Sequence, residues 1–232
     1  MSALELKGLE QQVIVMDTIS KRYSACGARI GAFITRNTNV YDAAIKRFEY
    51  LFDNFDKVVV SFSGGKDSTV CLNLALEVAK KKNKLPLDVY FWDEEAIHPD
   101  TIEYVERVRQ LPEVRFKWLC IPIRHRNACS RKEPYWQCWD PNKQEAWVRQ
   151  PPIDSITDHK QWAFFRPGME FEEFVVLFGQ WYGQGKKTGA FIGIRAQESL
   201  HRYCAVATWE KRDLMLNGLR WTTKIVDEVY NV

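Results

Sequence analysis

The chain has 232 residues, with 33 Lys and Arg against 30 Asp and Glu, so its net charge is +3. Apolar residues make up 46% and charged residues 27%, which is typical of a folded globular protein and excludes disordered, collagen-like and membrane-embedded classes. No apolar run reaches the length of a membrane span, and the acidic N-terminus is unlike a signal peptide, so we predict a cytoplasmic protein without a membrane partner.

The first 56 residues are predicted to be helical. Positions 4–23 mix apolar and polar residues at roughly helical spacing, and Gly27 and Gly31 interrupt this pattern. Asn39 is placed to cap a second helix over 40–55, whose apolar residues recur on one face. We expect these helices to precede the main folding unit.

Strands and helices alternate over 57–121. Short apolar runs predict buried strands, and segments of helical spacing lie between them. The predicted strands cover 58–60, 89–92 and 115–121, and the predicted helices cover 68–82 and 99–110. This order at short spacing predicts an α/β fold, a Rossmann-like parallel sheet with right-handed crossovers and flanking helices.

Residues 122–169 are rich in Pro, Trp and charge and show no clear period, which predicts a long irregular insertion. The chain has 31 aromatic residues, and eight of its nine tryptophans lie between Trp118 and Trp221. Arginines interleaved with tryptophans fit a nucleic-acid or second nucleotide site. We favour a simpler interpretation, a Trp-rich lid that packs on the sheet with the arginine stems along it.

The remaining part, 170–232, is predicted to contain a helix over 170–182, a strand over 189–194 and an extended segment over 221–226. We therefore expect a single domain over 1–232 with four parts, divided at 56, 121 and 169. A complete short protein and a piece of a longer one both fit this sequence.

The most specific motif is SFSGGKDST over 61–69, directly after a predicted strand and at the start of a helix. Helix N-termini offer free N–H groups and a positive dipole end, glycines let an anion approach the backbone, and lysine and serine add a charge and hydroxyl donors. The motif is neither a Walker A loop nor a dinucleotide fingerprint. The candidate phosphate-binding residues are Ser61, Ser63, Gly64, Gly65, Lys66, Asp67 and Ser68.

Residues 63–68 resemble the SGGKDS pyrophosphate loop of the adenine nucleotide alpha-hydrolase superfamily, the N-type ATP pyrophosphatases, which have a HUP-type fold. In that superfamily the loop holds the β- and γ-phosphates of ATP while the α-phosphate is attacked, and an adenylated product and pyrophosphate form. The resemblance implies an adenine nucleotide, ATP with Mg²⁺, as the ligand and Lys66 as a catalytic residue.

Two further segments resemble the phosphoadenosine phosphosulfate (PAPS) reductase-like family. FWDEEAIHPDT over 91–101 is similar to the segment after that family's second strand, and GIRAQESLHR over 193–202 to its G-[IL]-R-x-x-x-S-x-x-R segment. The resemblance implies that an anionic co-substrate such as sulfate is bound by Arg195, Ser199 and Arg202. Asp93, at the tip of a predicted strand, is a candidate catalytic residue that could bind Mg²⁺ through water or contact the nucleotide sugar. A capping role for Asp93 and surface ion pairs for the arginines are the alternatives.

Guanidinium forks at the carboxyl end of a parallel strand suit sulfate and phosphate oxygens, so the residues alone lead to the same ligand class. We expect an enzyme that adenylates an anionic co-substrate. PAPS reductases use a cysteine in a C-terminal E-C-G-L-H-type segment, which this sequence does not contain, so sulfonucleotide reduction or sulfur transfer is an alternative. A non-catalytic nucleotide-binding regulator that acts with a protein or nucleic-acid partner is another.

Six cysteines are expected to be free thiols, because no C-x-x-C pair and no secretory signal occur. Cys120, Cys129 and Cys138 repeat every nine residues, with His125 among them. A metal or iron–sulfur site there is the less favoured interpretation, since known ligand spacings are tighter.

Overall fold

The computed structural model describes residues 14–18, 31–35, 38–127, 130–193 and 229–231. Its centre is a parallel sheet of five strands, which are β3 (Lys57–Phe62), β4 (Leu87–Trp92), β5 (Val114–Leu119), β8 (Thr188–Ile192) and β9 (Val229–Asn231). Their order across the sheet is β5-β4-β3-β8-β9. The helices are α1 (Thr38–Asn54), α2 (Lys66–Lys81), α3 (Pro99–Arg109) and α4 (Phe171–Gly183). The predicted α/β sheet with flanking helices is confirmed.

The N-terminal prediction is wrong in part. Strand β1 (Ile14–Thr18) lies within the predicted leading helix. It pairs antiparallel with β2 (Gly31–Thr35), which lies between the two predicted helices. A run of three β-branched residues over 13–15 favours a strand, because such side chains lose rotamer freedom in a helix. Helix α1 begins at Thr38, so Asn39 lies inside the first turn and not at the cap.

Helices cover both faces of the sheet. On one face Phe48 of α1 stacks on Phe191 of β8, with 4.2 Å between ring centroids, and Tyr104 of α3 contacts Phe62 of β3. On the other face Trp92 of β4 packs edge-on against Phe174 of α4. Burial on both faces explains why the strands read as continuous apolar runs.

The order of the strands creates a switch point in the sheet. From β3 the chain proceeds through α2 to β4 and through α3 to β5, always toward the same edge. It then returns through the insertion and α4 and places β8 on the other side of β3. Ligands of open α/β sheets bind at the carboxyl ends of the two strands that flank such a reversal, here β3 and β8.

The insertion is mostly irregular, as predicted. It contains a short hairpin of β6 (Arg124–Arg126) and β7 (Tyr135–Gln137) and two 3₁₀ helices, Pro141–Ala146 and His159–Gln161. Trp139 and Trp162 are buried in the main core, which confirms that this Trp-rich segment packs on the sheet. Within the described ranges no helix has the length and apolar character needed to cross a bilayer.

Candidate nucleotide-binding site

The predicted phosphate loop follows β3 and leads directly into α2, at the switch point. Gly65 is the N-cap of α2 with extended backbone angles (φ −80°, ψ 165°), and no side chain among the described residues caps this helix. The N–H groups of the first turn and the positive end of the helix dipole therefore face the loop. A phosphate group is the ligand that such a terminus favours.

Hydroxyl groups hold the loop in shape. The Oγ atoms of Ser63 and Ser68 are 3.0 Å apart, and Ser68 Oγ also donates to the carbonyl oxygen of Gly65 at 3.0 Å. Ser68 is buried, whereas Ser63 is exposed. Thr69, which the sequence analysis did not select, donates through Oγ1 to the same carbonyl at 2.8 Å. Ser68 and Thr69 thus fix the backbone, and Ser63, whose hydroxyl contacts Ser68 Oγ and Gly65 N, lies on the exposed side of the loop.

Gly64 fits a space that no other residue can occupy. Its φ is +71°, and a Cβ atom there would lie 2.7 Å from Thr101 Cγ2 and 2.9 Å from Val105 Cγ2 of α3. The left-handed backbone and the close approach of α3 both require glycine. The second motif of the sequence analysis, which ends at Thr101, therefore contacts the loop itself.

Lys66 lies in the first turn of α2, and its Nζ atom is 3.2 Å from Asp67 Oδ2. The two side chains are 35% and 24% exposed, so solvent reaches both. The amine can therefore leave this weak pair and approach a bound phosphate. Ser61 lies half-buried in β3, one residue before the strand ends.

The arginine segment begins beside the loop. Gly193 follows β8, and a Cβ atom on it would lie 2.5 Å from the backbone N of Ser68 and 2.6 Å from the carbonyl carbon of Asp67. Its backbone therefore packs directly on the first turn of α2. Arg195, Ser199 and Arg202 lie outside the described residues, so their roles stay predictions.

Asp93 lies at the carboxyl end of β4, and its side chain is fully buried. Trp118 Nε1 donates to Oδ2 at 2.6 Å, and Glu95 N donates to Oδ1 at 2.8 Å. Arg149 Nη2 of the insertion pairs with Oδ1. The helix-capping alternative is wrong, because His98 caps α3. The Mg²⁺ role stays a prediction, but this carboxylate already has four donors, since the Cys120 thiol also donates to Oδ2 at 3.6 Å.

Glu95 makes a second link to the insertion that the sequence analysis missed. Its carboxylate accepts from the backbone N of Trp139 at 2.6 Å and from the backbone N of Val148 at 3.2 Å. Its backbone is left-handed (φ +65°), a conformation that a non-glycine residue adopts only when its surroundings require it. Trp139 Nε1 also donates to the carbonyl oxygen of Asp93 at 2.6 Å. We call Asp93, Glu95, Trp139 and Arg149 the insertion clamp.

Two cysteines of the predicted repeat lie near this end of the sheet. Cys120 Sγ is 3.6 Å from Asp93 Oδ2, whereas Cys138 Sγ is 3.4 Å from the carbonyl oxygen of Ile121 and 3.8 Å from His125 Nε2. No group of three potential ligands suited to a metal ion occurs in the described part of the chain. Cys129 lies outside that part.

These two thiols are expected to be inert. Burial raises the pKa of Cys138 to about 12, and burial and the nearby Asp93 carboxylate raise the pKa of Cys120 well above its usual range. Because the thiolate is the reactive form, alkylation near pH ~8 should be roughly 10³-fold slower than for a free thiol. Iodoacetamide labelling and peptide mass spectrometry should find both thiols unmodified when folded and modified in denaturant. Rapid native labelling of Cys138 would contradict this.

Comparison with known proteins assigns the chain to a family. Residues 57–222 match the phosphoadenosine phosphosulfate reductase domain, and the chain belongs to that family. Among curated proteins, the uncharacterized protein YbdN of Escherichia coli (strain K12) is 41% identical over 188 residues. The match covers 80% of this chain but 45% of YbdN, so the chain spans less than half the length of this relative.

Proposed function

We propose that the chain binds ATP in the SGGKDS loop and adenylates an anionic co-substrate with release of pyrophosphate. Membership of the PAPS reductase domain family supports an enzyme with a nucleotide-binding, sulfonucleotide-related function. The observation that carries the finer proposal is the loop itself, an uncapped helix N-terminus with Lys66 in its first turn at the switch point of the sheet.

In the proposed reaction, the loop residues bind the phosphates of ATP and leave the α-phosphate open to attack. The first-turn N–H groups, Ser63 and Lys66 bind the β- and γ-phosphates, so the leaving pyrophosphate is held by positive charge. The α-phosphate then points to the ends of β3 and β8, where the segment after Gly193 begins. Arg195 and Arg202 orient the co-substrate, and one of its oxygens attacks the α-phosphorus as the bond to the pyrophosphate oxygen breaks.

Mg²⁺ bound to the phosphates would neutralise their charge during transfer. The surroundings of Asp93 do not fit it as a ligand, because Arg149 and two N–H donors already occupy the carboxylate. Mg²⁺ commonly binds through substrate phosphates and water, with few protein ligands. We therefore assign no step to a protein-bound metal.

The test measures pyrophosphate released from ATP and Mg²⁺ in the presence of sulfate and other small oxyanions. Lys66→Ala should lower the rate roughly 10²-fold or more, because it removes a charge that stabilises the leaving group. Lys80→Ala is the matched control, since Lys80 is an exposed lysine at the opposite end of the same helix. Its rate should equal that of the unmodified protein.

Three results would contradict the proposal in different ways. Full pyrophosphate release by Lys66→Ala would exclude the loop as the site. ATP binding without pyrophosphate formation under any condition would favour the non-catalytic regulator. Turnover that a single Cys→Ser substitution abolishes would favour sulfonucleotide reduction or sulfur transfer, which depend on a thiolate.

A further inference from the structure

The hairpin of β6 and β7 concentrates positive charge in a small part of the insertion. Residues 124–137 contain four Arg or Lys and one Glu, a net charge of +3 that equals the net charge of the whole chain. The charges of the remaining residues sum to zero, although they include another basic cluster, the four lysines over 80–84. The hairpin is therefore one of the segments where an excess of positive charge can attract a polyanion.

Three of these cations are available to a partner. The Arg126 side chain is 75% exposed, with Nη2 4.0 Å from Glu170 Oε2, and Arg131 and Lys132 are exposed near the tip of the hairpin. Among the described carboxylates none lies within ion-pair distance of Arg131 or Lys132. Arg124 is held differently, because its Nη2 is 3.0 Å from Glu170 Oε1.

An aromatic ring stands beside these charges. Tyr135 in β7 is 38% exposed, and the guanidinium of Arg124 lies 4.4 Å from its ring centroid. The pair of Arg124 with Glu170 fixes the guanidinium and thus the ring next to it. An exposed aromatic ring flanked by cations is the arrangement that binds unpaired bases and their phosphates.

The hairpin lies at the carboxyl ends of the parallel strands, the same end of the sheet at which the phosphate loop lies. Its His125 lines a small cleft together with Trp92 and Leu119, the last residues of β4 and β5. The backbone N of Arg124 donates to the carbonyl oxygen of Met169 at 2.9 Å, which attaches the hairpin near the start of α4. A polyanion on the hairpin would therefore lie at the same end of the sheet as the SGGKDS loop.

We propose that the β6–β7 hairpin is a docking surface for single-stranded nucleic acid. Exposed cations contact the phosphates, and Tyr135 stacks on a base, which is why an unpaired strand suits this surface better than a duplex or an acidic protein. The proposal goes beyond adenylation and does not depend on it.

The test uses fluorescence anisotropy with a labelled oligothymidylate of about 20 nucleotides, without ATP. One variant removes the three exposed cations, Arg126→Gln, Arg131→Gln and Lys132→Gln. The matched control is Lys80→Gln, Lys81→Gln and Lys82→Gln. It removes three adjacent cations at the C-terminal end of α2, which lies at the amino ends of the parallel strands. Both variants lose the same charge at different positions, and the control also removes the surface ion pairs of Lys81 with Glu77 and Lys82 with Asp53.

The hairpin variant should bind at least about tenfold more weakly near 100 mM salt, and its log–log salt slope should fall by roughly 0.7 for each lost phosphate contact. The control variant should bind as the unmodified protein does. Tyr135→Ala should weaken binding at least about fivefold, and Tyr135→Phe should restore it, since stacking needs only the ring. Thermal unfolding of every variant should match that of the unmodified protein.

Equal loss of binding in both triple variants would overturn the proposal, because it would reduce the effect to overall charge. The proposal would also be overturned if Tyr135→Ala bound the oligonucleotide as the unmodified protein does, or if a duplex bound more tightly than a single strand. Absence of binding by the unmodified protein would overturn it as well. Lys66→Ala should still bind the oligonucleotide, so a failure of the adenylation proposal is recognised separately.

Discussion

Replacing Gly193 with alanine is expected to remove nucleotide binding and to lower the free energy of unfolding by about 3 kcal/mol or more. A Cβ atom at this position would lie 2.5 Å from Ser68 N, 2.6 Å from the Asp67 carbonyl carbon and 2.9 Å from Ser68 Cα. All three are backbone atoms of the first turn of α2, which cannot rotate away as a side chain can. The end of β8 and the phosphate loop must therefore separate.

Gly65→Ala is the matched control within the same site. A Cβ atom on Gly65 would lie 3.3 Å from Ser63 Oγ, and its φ of −80° suits any residue. We expect this variant to unfold within about 1 kcal/mol of the unmodified protein. Denaturant unfolding and ATP titration calorimetry measure the two effects. A Gly193→Ala protein that binds ATP normally would show that the loop does not depend on its contact with β8.

The core of the fold could be predicted because local patterns there agree with the final structure. The strands over 57–62, 87–92 and 114–119 are buried on both faces, so each reads as an apolar run between helices. The SGGKDS motif between β3 and α2 was recognised in the same way, since its residues are contiguous, and its binding of phosphate stays a prediction. The predicted start of α2 at Ser68 was two residues late, because the helix begins at Lys66 inside the motif.

The place of β8 had no comparable local signal. A strand over 189–194 could be read from its apolar residues, but its position beside β3 depends on where the insertion and α4 return the chain. The switch point, and with it the contact of Gly193 with the loop, therefore appears only in three dimensions. The strand also ends at Ile192, so Gly193 is already part of the loop region.

The insertion clamp was missed for a related reason. Asp93 and Arg149 are 56 positions apart, and Glu95 and Trp139 are 44 apart. No period or motif connects residues across an irregular segment of this kind. In a sequence, an acidic residue after a strand is equally compatible with a metal ligand, a helix cap or a buried group that holds another segment in place. The contacts of Asp93 with Arg149 and Trp139 favour the last of these.

Asp93→Asn is expected to lower the free energy of unfolding by about 3 kcal/mol. The substitution removes the charge that pairs with Arg149, and the asparagine amide turns a donor toward groups that already donate. The backbone N of Glu95 donates to one carboxylate oxygen and the indole Nε1 of Trp118 to the other, so one of these two donors loses its acceptor. Because the Arg149 side chain is 22% exposed, water offsets part of the loss, and we place the effect at the lower end of the range for buried pairs.

A double-mutant cycle with Arg149→Met separates the ion pair from the other contacts. Methionine keeps the apolar stem over the Trp139 ring, which lies 5.1 Å from the guanidinium of Arg149, while it removes the charge. The coupling energy from denaturant unfolding should be about 1–3 kcal/mol, so the double variant is more stable than the sum of the single effects predicts. An Mg²⁺ ligand behaves differently. If Asp93→Asn leaves metal-free stability unchanged and weakens only the binding of ATP with Mg²⁺, the carboxylate serves the metal and not the insertion.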